Sequence, residues 1–205
     1  MKKFPDTIPV FPLSGVIYFP KTNLPLNIFE ERYLSLVNDA YNNDQLMGMV
    51  QSKKEDSSVY QIGCLGKISD LQKIKDGRIL INLTGISRFK ILEEVSNNKL
   101  YREFKVDYSN FENDIKDAKN VEDTRPLMDK AKTFFKRNGL LLNWKEFDKL
   151  DQSQKINTLS MIAPVTNEEK QKLLEAISMK EKINVLESII SFYLYETGLN
   201  NQTIQ

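Results

Sequence analysis

Residues 78–92 read Arg-Ile-Leu-Ile-Asn-Leu-Thr-Gly-Ile-Ser-Arg-Phe-Lys-Ile-Leu, two apolar runs on either side of Gly85. Both runs are short and bounded by turn residues, so the stretch predicts two strands, Arg78–Leu83 and Arg88–Leu92. Asp76-Gly77 just before them supplies a hairpin turn. Outward from this stretch, Ile8–Leu13, Leu46–Gln51, Gly63–Ile68 and Tyr101–Tyr108 have the same character, and Phe104, Val106 and Tyr108 alternate in the last of them. Short, glycine-punctuated strands of this kind predict a small barrel or folded sheet. One helix interrupts them: Phe29, Tyr33, Leu36, Val37 and Ala40 fall on one helical face, and Asn27 with Glu30 has the spacing of a capping box at its start.

Beyond Tyr108 the period changes. Ser109–Asp123 is polar, with few apolar residues and no sustained spacing, and predicts a junction between a β-rich unit over 1–108 and a helical unit over 124–200. Leu127, Ala131, Phe134 and Phe135 form a helical stripe that stops at Gly139. Asn143 with Glu146, Thr166 with Glu169, and Ser178 with Glu181 are further capping-box patterns, each beside helical spacing. Ile156, Leu159 and Ile162 mark a helix ending before Pro164, and Ile183, Leu186 and Ile190 mark the last one. The expected class is therefore α+β: a β-rich pseudo-barrel with one helix, followed by a C-terminal bundle of five helices.

Composition excludes several chemistries. The 205 residues include no histidine and one cysteine, so Ser-His-Asp and Cys-His systems, an intrachain disulfide and zinc sites of several Cys and His ligands are all absent. Residues 1–110 carry 15 basic and 13 acidic side chains and residues 111–205 carry 14 and 15, so neither half has the basic bias of a phosphate-neutralising domain. Pro5, Asp6, Pro9 and Pro12 interrupt the start where a signal peptide needs an unbroken apolar stretch, and no segment has the roughly 18 apolar residues of a membrane span. These features, with the single thiol, predict a cytoplasmic protein.

Gly63-Cys-Leu-Gly-Lys-Ile-Ser69 fails as a phosphate loop, which needs four residues before Gly-Lys and a Ser or Thr after the lysine; it reads as a strand whose glycines permit a bulge or close packing. Cys64 lies between apolar neighbours, as an inert core thiol does. Glu30-Glu31 and Glu93-Glu94 are adjacent pairs, and neighbours on a helix or strand point in different directions, so neither makes an acid/base dyad. Phe11, Tyr18, Phe19, Phe29 and Tyr33 cluster with Pro12, Pro20 and Pro25. They either close one end of the barrel or leave rings exposed as a peptide-contact surface. Trp144, three residues before Phe147, reads as a staple of the bundle. Arg32 and Arg88 stand out among six arginines as guanidinium groups suited to structural pairing, Arg32 with Glu30 or backbone carbonyls.

Several strings together resemble the N-terminal domain of the ATP-dependent Lon proteases, which also occurs as a stand-alone bacterial protein. They are Ile8-Pro-Val-Phe-Pro-Leu13, Phe19-Pro20, Leu24-Pro-Leu26, Ile28-Phe29-Glu30 with Arg32-Tyr33-Leu34, Gly63-Cys-Leu-Gly66 with Lys67-Ile68, Asp76-Gly77-Arg78 and Gly85-Ile-Ser-Arg88-Phe89-Lys90-Ile91. Their order and spacing are more specific than any one of them. The similarity is strongest to residue 91 and continues through Ile156–Pro164 and Glu168–Ala176. The resemblance implies a PUA-like LON fold that recognises unfolded or tagged substrates. The ATPase and Ser-Lys peptidase modules that follow this domain in the protease are not within the 205 residues, so recognition without catalysis is expected. No cofactor is implied.

The expected partners are unfolded client proteins or peptides, held at a free strand edge or in an apolar groove, with a separate Lon protease as a further partner. Phe19, Pro20, Leu24 and Tyr33 are the candidate peptide-binding residues, and Arg32, Arg88 and Glu30 the candidate structural ones. Two rival readings are an RNA-binding PUA-like protein, which the near-neutral charge disfavours, and a small-molecule or enzymatic pocket at the junction.

Overall fold

The stretch 78–92 forms part of one long strand rather than two. The computed structural model describes residues 4–53, 58–116 and 122–200, the last five without side chains. Its strands are β1 (Thr7–Leu13), β2 (Asn23–Ile28), β3 (Leu46–Gln51), β4 (Ile62–Lys73), β5 (Ile79–Val95) and β6 (Arg102–Asp107). Gly85 does not break β5. The pairing passes from Leu65↔Ser87 to Gly66↔Gly85 across a bulge that leaves Ile86 extra, and the strand bends instead of ending.

The sheet order is β2-β5-β4-β3-β1-β6, with β5 also pairing β6. β1 and β3 are parallel and every other pair is antiparallel. β5 is long enough to carry two neighbours on one side in succession, β2 along Ile79–Thr84 and β6 along Lys90–Val95. Strands β1, β3, β4, β5 and β6 thus close into a ring. β2, the start of β5 and the end of β4 form a three-stranded extension beyond it. The parallel β1–β3 pair needs a crossover, and helix α1 (Glu31–Asn42) lies in it.

Strand alternation points Ile8, Val10, Val50, Leu65, Phe89, Phe104 and Val106 into one buried cluster. Gly63 admits the Phe89 ring here: a Cβ at this position would run into that ring, the Val50 side chain and the Met49 carbonyl. β2 was not anticipated by strand spacing, because Pro25 sits in its middle. A proline is compatible with a strand at the edge of a sheet, which is where β2 lies.

Three further expectations are corrected. The Asn27–Glu30 capping box does not form: Asn27 belongs to β2, the N-cap is Glu30 without a side-chain cap bond, and the Glu30 carboxylate accepts from Arg32 instead. Phe29 is outside the helix and 65% exposed, so the buried face of α1 is Tyr33, Leu36, Val37 and Ala40. Ser109–Asp114, the first part of the expected junction, is a 3-10 helix with Phe111 buried. It folds onto the sheet because Asp114 pairs with Arg88. Residues 117–121 of that junction lie outside the described residues.

The chain divides into two compact units, Met1–Asp117 and Ala118–Gln205. The second holds α2 (Arg125–Arg137), α3 (Trp144–Phe147), α4 (Gln152–Ile162), α5 (Asn167–Glu175) and α6 (Met179–Asn200), with α2, α4 and α5 each packed on α6. Asn143 caps α3 by accepting from the Glu146 N–H, and Thr166 with Glu169 makes a reciprocal capping box on α5. Ser178 Oγ accepts from the Glu181 N–H at the start of α6. A further box, Asp151 with Gln154, caps α4 and was not anticipated. Trp144 meets Phe135 and Phe147 edge to face. No helix among the described residues is long and apolar enough to cross a membrane.

Candidate functional site

Phe19, Pro20, Leu24 and Tyr33 do not form an exposed surface. Phe19 has no solvent exposure and Leu24 and Tyr33 are 8% and 6% exposed, with Pro20 buried beside them. The turn that carries the first two is stitched to β5: the Lys21 N–H donates to the Gly85 carbonyl at 3.0 Å and the Gly85 N–H to the Thr22 carbonyl at 2.9 Å. The Thr22 hydroxyl donates to the Phe19 carbonyl at 2.7 Å and tightens the turn. That carbonyl lies so close to Gly85 that no Cβ would fit. Tyr33 packs its ring on Phe11, centroids 4.0 Å apart, and donates its hydroxyl to the Pro12 carbonyl. These residues are core, so their side chains do not form the exposed peptide-contact surface expected of them.

The candidate structural residues are placed differently from one another. Arg32 donates to Glu30 through both Nε and Nη2 on an exposed surface, and its guanidinium lies 4.4 Å from the Tyr33 ring centre. Arg88 is buried. Its Nε and Nη2 grip the two oxygens of Asp114 at 2.9 and 2.8 Å, its backbone N–H adds a third bond, and its guanidinium covers the Phe111 ring. Cys64 is wholly buried, with Sγ 3.6 Å from the Leu65 carbonyl.

Tyr18 is also 2% exposed, and its hydroxyl has no hydrogen-bond partner among the described residues; burial, with a smaller contribution from Cys64, pushes its pKa up. A hydroxyl desolvated without compensation costs stability, so Tyr18→Phe is expected to raise the unfolding free energy by about 1 kcal/mol. A urea melt of the variant against the parent checks this, and a loss of stability would reveal a partner for the hydroxyl.

A groove of about 370 Å³ lies beside the end of α1, lined by Asp39, Asp44, Lys99, Tyr101 and Glu103 among others. Much of its charge is already engaged, since Tyr101 donates to Asp39 at 2.8 Å and Lys99 to Glu103 at 2.7 Å. Among the described residues no group of acidic or thiol side chains is arranged to hold a metal ion.

Apolar side chains of the barrel unit are exposed at several separate places, Tyr41, Leu92, Leu100 and Ile115 among them, and two lie at the three-stranded extension. Phe29 follows β2, and Leu80, 40% exposed, sits opposite Asn27 on the outer face of the three-stranded extension. That face is polar near its base, where the Thr84 hydroxyl contacts Asn23 and Ser69 and the Asn82 amide donates to Ser69, with the exposed Lys67 and Asp70 opposite Thr84 and Asn82. The extension ends in two strand edges that pair with nothing among the described residues, one on β2 and one on β4 beyond Ile68. Sequence periodicity could not find them, because an edge is defined by which neighbour is missing.

Comparison with known proteins agrees with this architecture. The family model described as the ATP-dependent protease La (LON) substrate-binding domain matches residues 7–191. The Lon protease of Syntrophus aciditrophicus is 26% identical over 208 aligned residues, covering 94% of this chain and 26% of the relative, so the chain spans about a quarter of that protease's length. The N-terminal domain of a Mycobacterium avium complex Lon protease superposes with a TM-score of 0.65 at 19% identity, covering 90% of this chain and 98% of that one. A Lon N-terminal domain protein from Xanthomonas campestris gives 0.61 at 20% identity, covering 90% and 97%. With the closed ring, its extension and the following helices matched along nearly the whole chain, the protein belongs to the LON substrate-binding domain family.

Proposed function

We propose that the protein is a non-catalytic recognition module that holds extended, unfolded segments of client proteins. The observation that carries this reading is the three-stranded extension, whose two edges leave backbone donors and acceptors unpaired among the described residues, beside the exposed side chains of Phe29 and Leu80. Unpaired strand edges bind extended polypeptide through main-chain hydrogen bonds and read side chains only at alternate positions, which suits a module that must accept many sequences. A folded client has already paired its own backbone and offers little to such an edge. Membership of a family of substrate-binding domains supports the same class of partner.

The test is fluorescence anisotropy of labelled, reduced and carboxymethylated lysozyme against the same protein folded and disulfide-bonded. The unfolded form is expected to bind at least about tenfold more tightly, a difference of roughly 1.4 kcal/mol, with little loss between 50 and 500 mM salt. Equal binding to both forms would sink the reading. A steep fall with salt would mark an electrostatic contact of the kind an RNA-binding domain makes.

A further inference from the structure

The two edges of the extension are not equivalent, and backbone alternation decides which is open. The Ile74 N–H donates to the Arg78 carbonyl, so Ile74 and Arg78 face each other across the β4–β5 hairpin. Stepping by two along β5, Leu80, Asn82 and Thr84 turn their backbone groups to β4, and Ile79, Ile81 and Leu83 turn theirs to β2. The β2 residues opposite the latter are Ile28, Leu26 and Leu24. Asn23, Pro25 and Asn27 therefore point outward, and the central one of these has no N–H to offer. A proline at that position blocks strand addition, a recognised way of guarding an edge.

On β4 the same stepping gives the opposite result. Asp70 and Gln72 face Asn82 and Leu80 and are used, while Leu71 and Lys73 point outward with N–H and carbonyl both unpaired among the described residues. The neighbouring lane is occupied by β3 only as far as Leu46, opposite Lys67; the Ile68 N–H then bonds to Gln45, which has φ +65° and turns the chain away. The lane that β3 vacates runs beside Ser69–Lys73, about 17 Å at 3.4 Å per residue. Leu71 lies on the apolar face of the extension with Ile79 and Ile81 and is only half-buried, so a side chain in the vacated lane would complete its cover. Lys67, Lys73 and Lys75 around the lane are exposed and pair with no carboxylate among the described residues.

The geometry points to the β4 edge, Leu71 and Lys73, as the place where a client segment adds as an extra strand, an apolar residue beside Leu71 and acidic residues toward the lysines. This rests on the client-binding reading above and deepens it. A lane of five residues is too short for the roughly 1,200 Å² that stable interfaces bury, which favours a transient polypeptide contact over a second copy of this chain.

The experiment uses the full chain and the reduced, carboxymethylated lysozyme probe, with amide hydrogen exchange resolved by residue. Saturating probe is expected to protect the amides of Leu71 and Lys73 and to leave those of Asn23 and Asn27 exchanging as before. Lys73→Pro, whose lost N–H serves no bond within the sheet, is expected to weaken probe binding about tenfold or more with its thermal midpoint preserved. Leu71→Pro is the second variant if the first is misfolded. Probe binding that is unchanged in both variants, without protection at these amides, would overturn the edge assignment while leaving client binding in place. Absence of any preference for the unfolded probe in the parent would overturn the reading beneath it. Protection that appears without probe and grows with protein concentration would give the edge to a second copy and overturn the assignment too.

Discussion

Phe19→Ala is expected to destabilise the barrel unit by about 3–5 kcal/mol, at the upper end of that range, and Leu24→Ala by a further 2–5 kcal/mol. Phe19 is fully buried, and the cost of deleting its ring depends on how far the surroundings can collapse into the space. Here they are held. The backbone of the Phe19–Thr22 turn is tied to Gly85 by two hydrogen bonds, and the Phe19 carbonyl already rests against that glycine without room to move closer. Leu24 is paired with Leu83 across β2 and β5, so its truncation opens the apolar layer under the extension. Against a typical domain stability of about 5–15 kcal/mol, the double variant is expected to be marginally folded or unfolded at room temperature. Urea unfolding with an unchanged slope and a lowered midpoint is the expected signature. A double variant that melts within two degrees of the parent and only loses client affinity would return these residues to the surface.

The aromatic-proline cluster shows where sequence and structure part. Its residues were legible as a group, and the two readings left open, barrel closure or contact surface, differ only in which rings face solvent. Phe29 is the ring that does, and Phe19 and Tyr33 are the ones that do not. The difference comes from Ile28 closing a strand and Glu31 starting a helix, which leaves Phe29 in neither alternation. β1 and β3 were legible as short apolar runs, β6 from the alternation of Phe104 and Val106, and α5 from a capping box whose two bonds both form, because these signals are local. β2 was hidden because proline argues against a strand unless its edge position is known. The open β4 edge was hidden for a related reason: whether Leu71 and Lys73 are paired depends on where β3 stops, 25 residues before Leu71 in sequence at Leu46. Ser109–Asp114 looked like a linker because its one apolar anchor, Phe111, and its one ionic anchor, Asp114, show no period, and their partner Arg88 lies on a distant strand.

That ionic anchor carries the other large effect. Arg88→Met is expected to cost about 3–5 kcal/mol, because it leaves the Asp114 carboxylate, 9% exposed, without the cation that compensates its burial. Asp114→Leu alone is expected to be damaging as well, since it removes the carboxylate that accepts from both Nε and Nη2 of the buried guanidinium. Arg88→Met with Asp114→Leu should recover most of the loss: two apolar side chains beside Phe111 need no mutual partner, and well-packed replacements for buried ion pairs are often neutral. Arg88→Lys is expected to rescue poorly, because an ammonium cannot reproduce the two-pronged grip on both Asp114 oxygens or lie flat on the Phe111 ring. Denaturant unfolding of the four proteins gives the coupling energy of the pair directly. A double variant as unstable as the sum of the singles would show that Arg88 and Asp114 act through separate contacts. Recovery in the double variant would instead identify the pair as the clasp that fixes the 3-10 helix against β5, and the Ser109–Asp114 segment would then remain protected from proteolysis in the double variant and become susceptible in each single one.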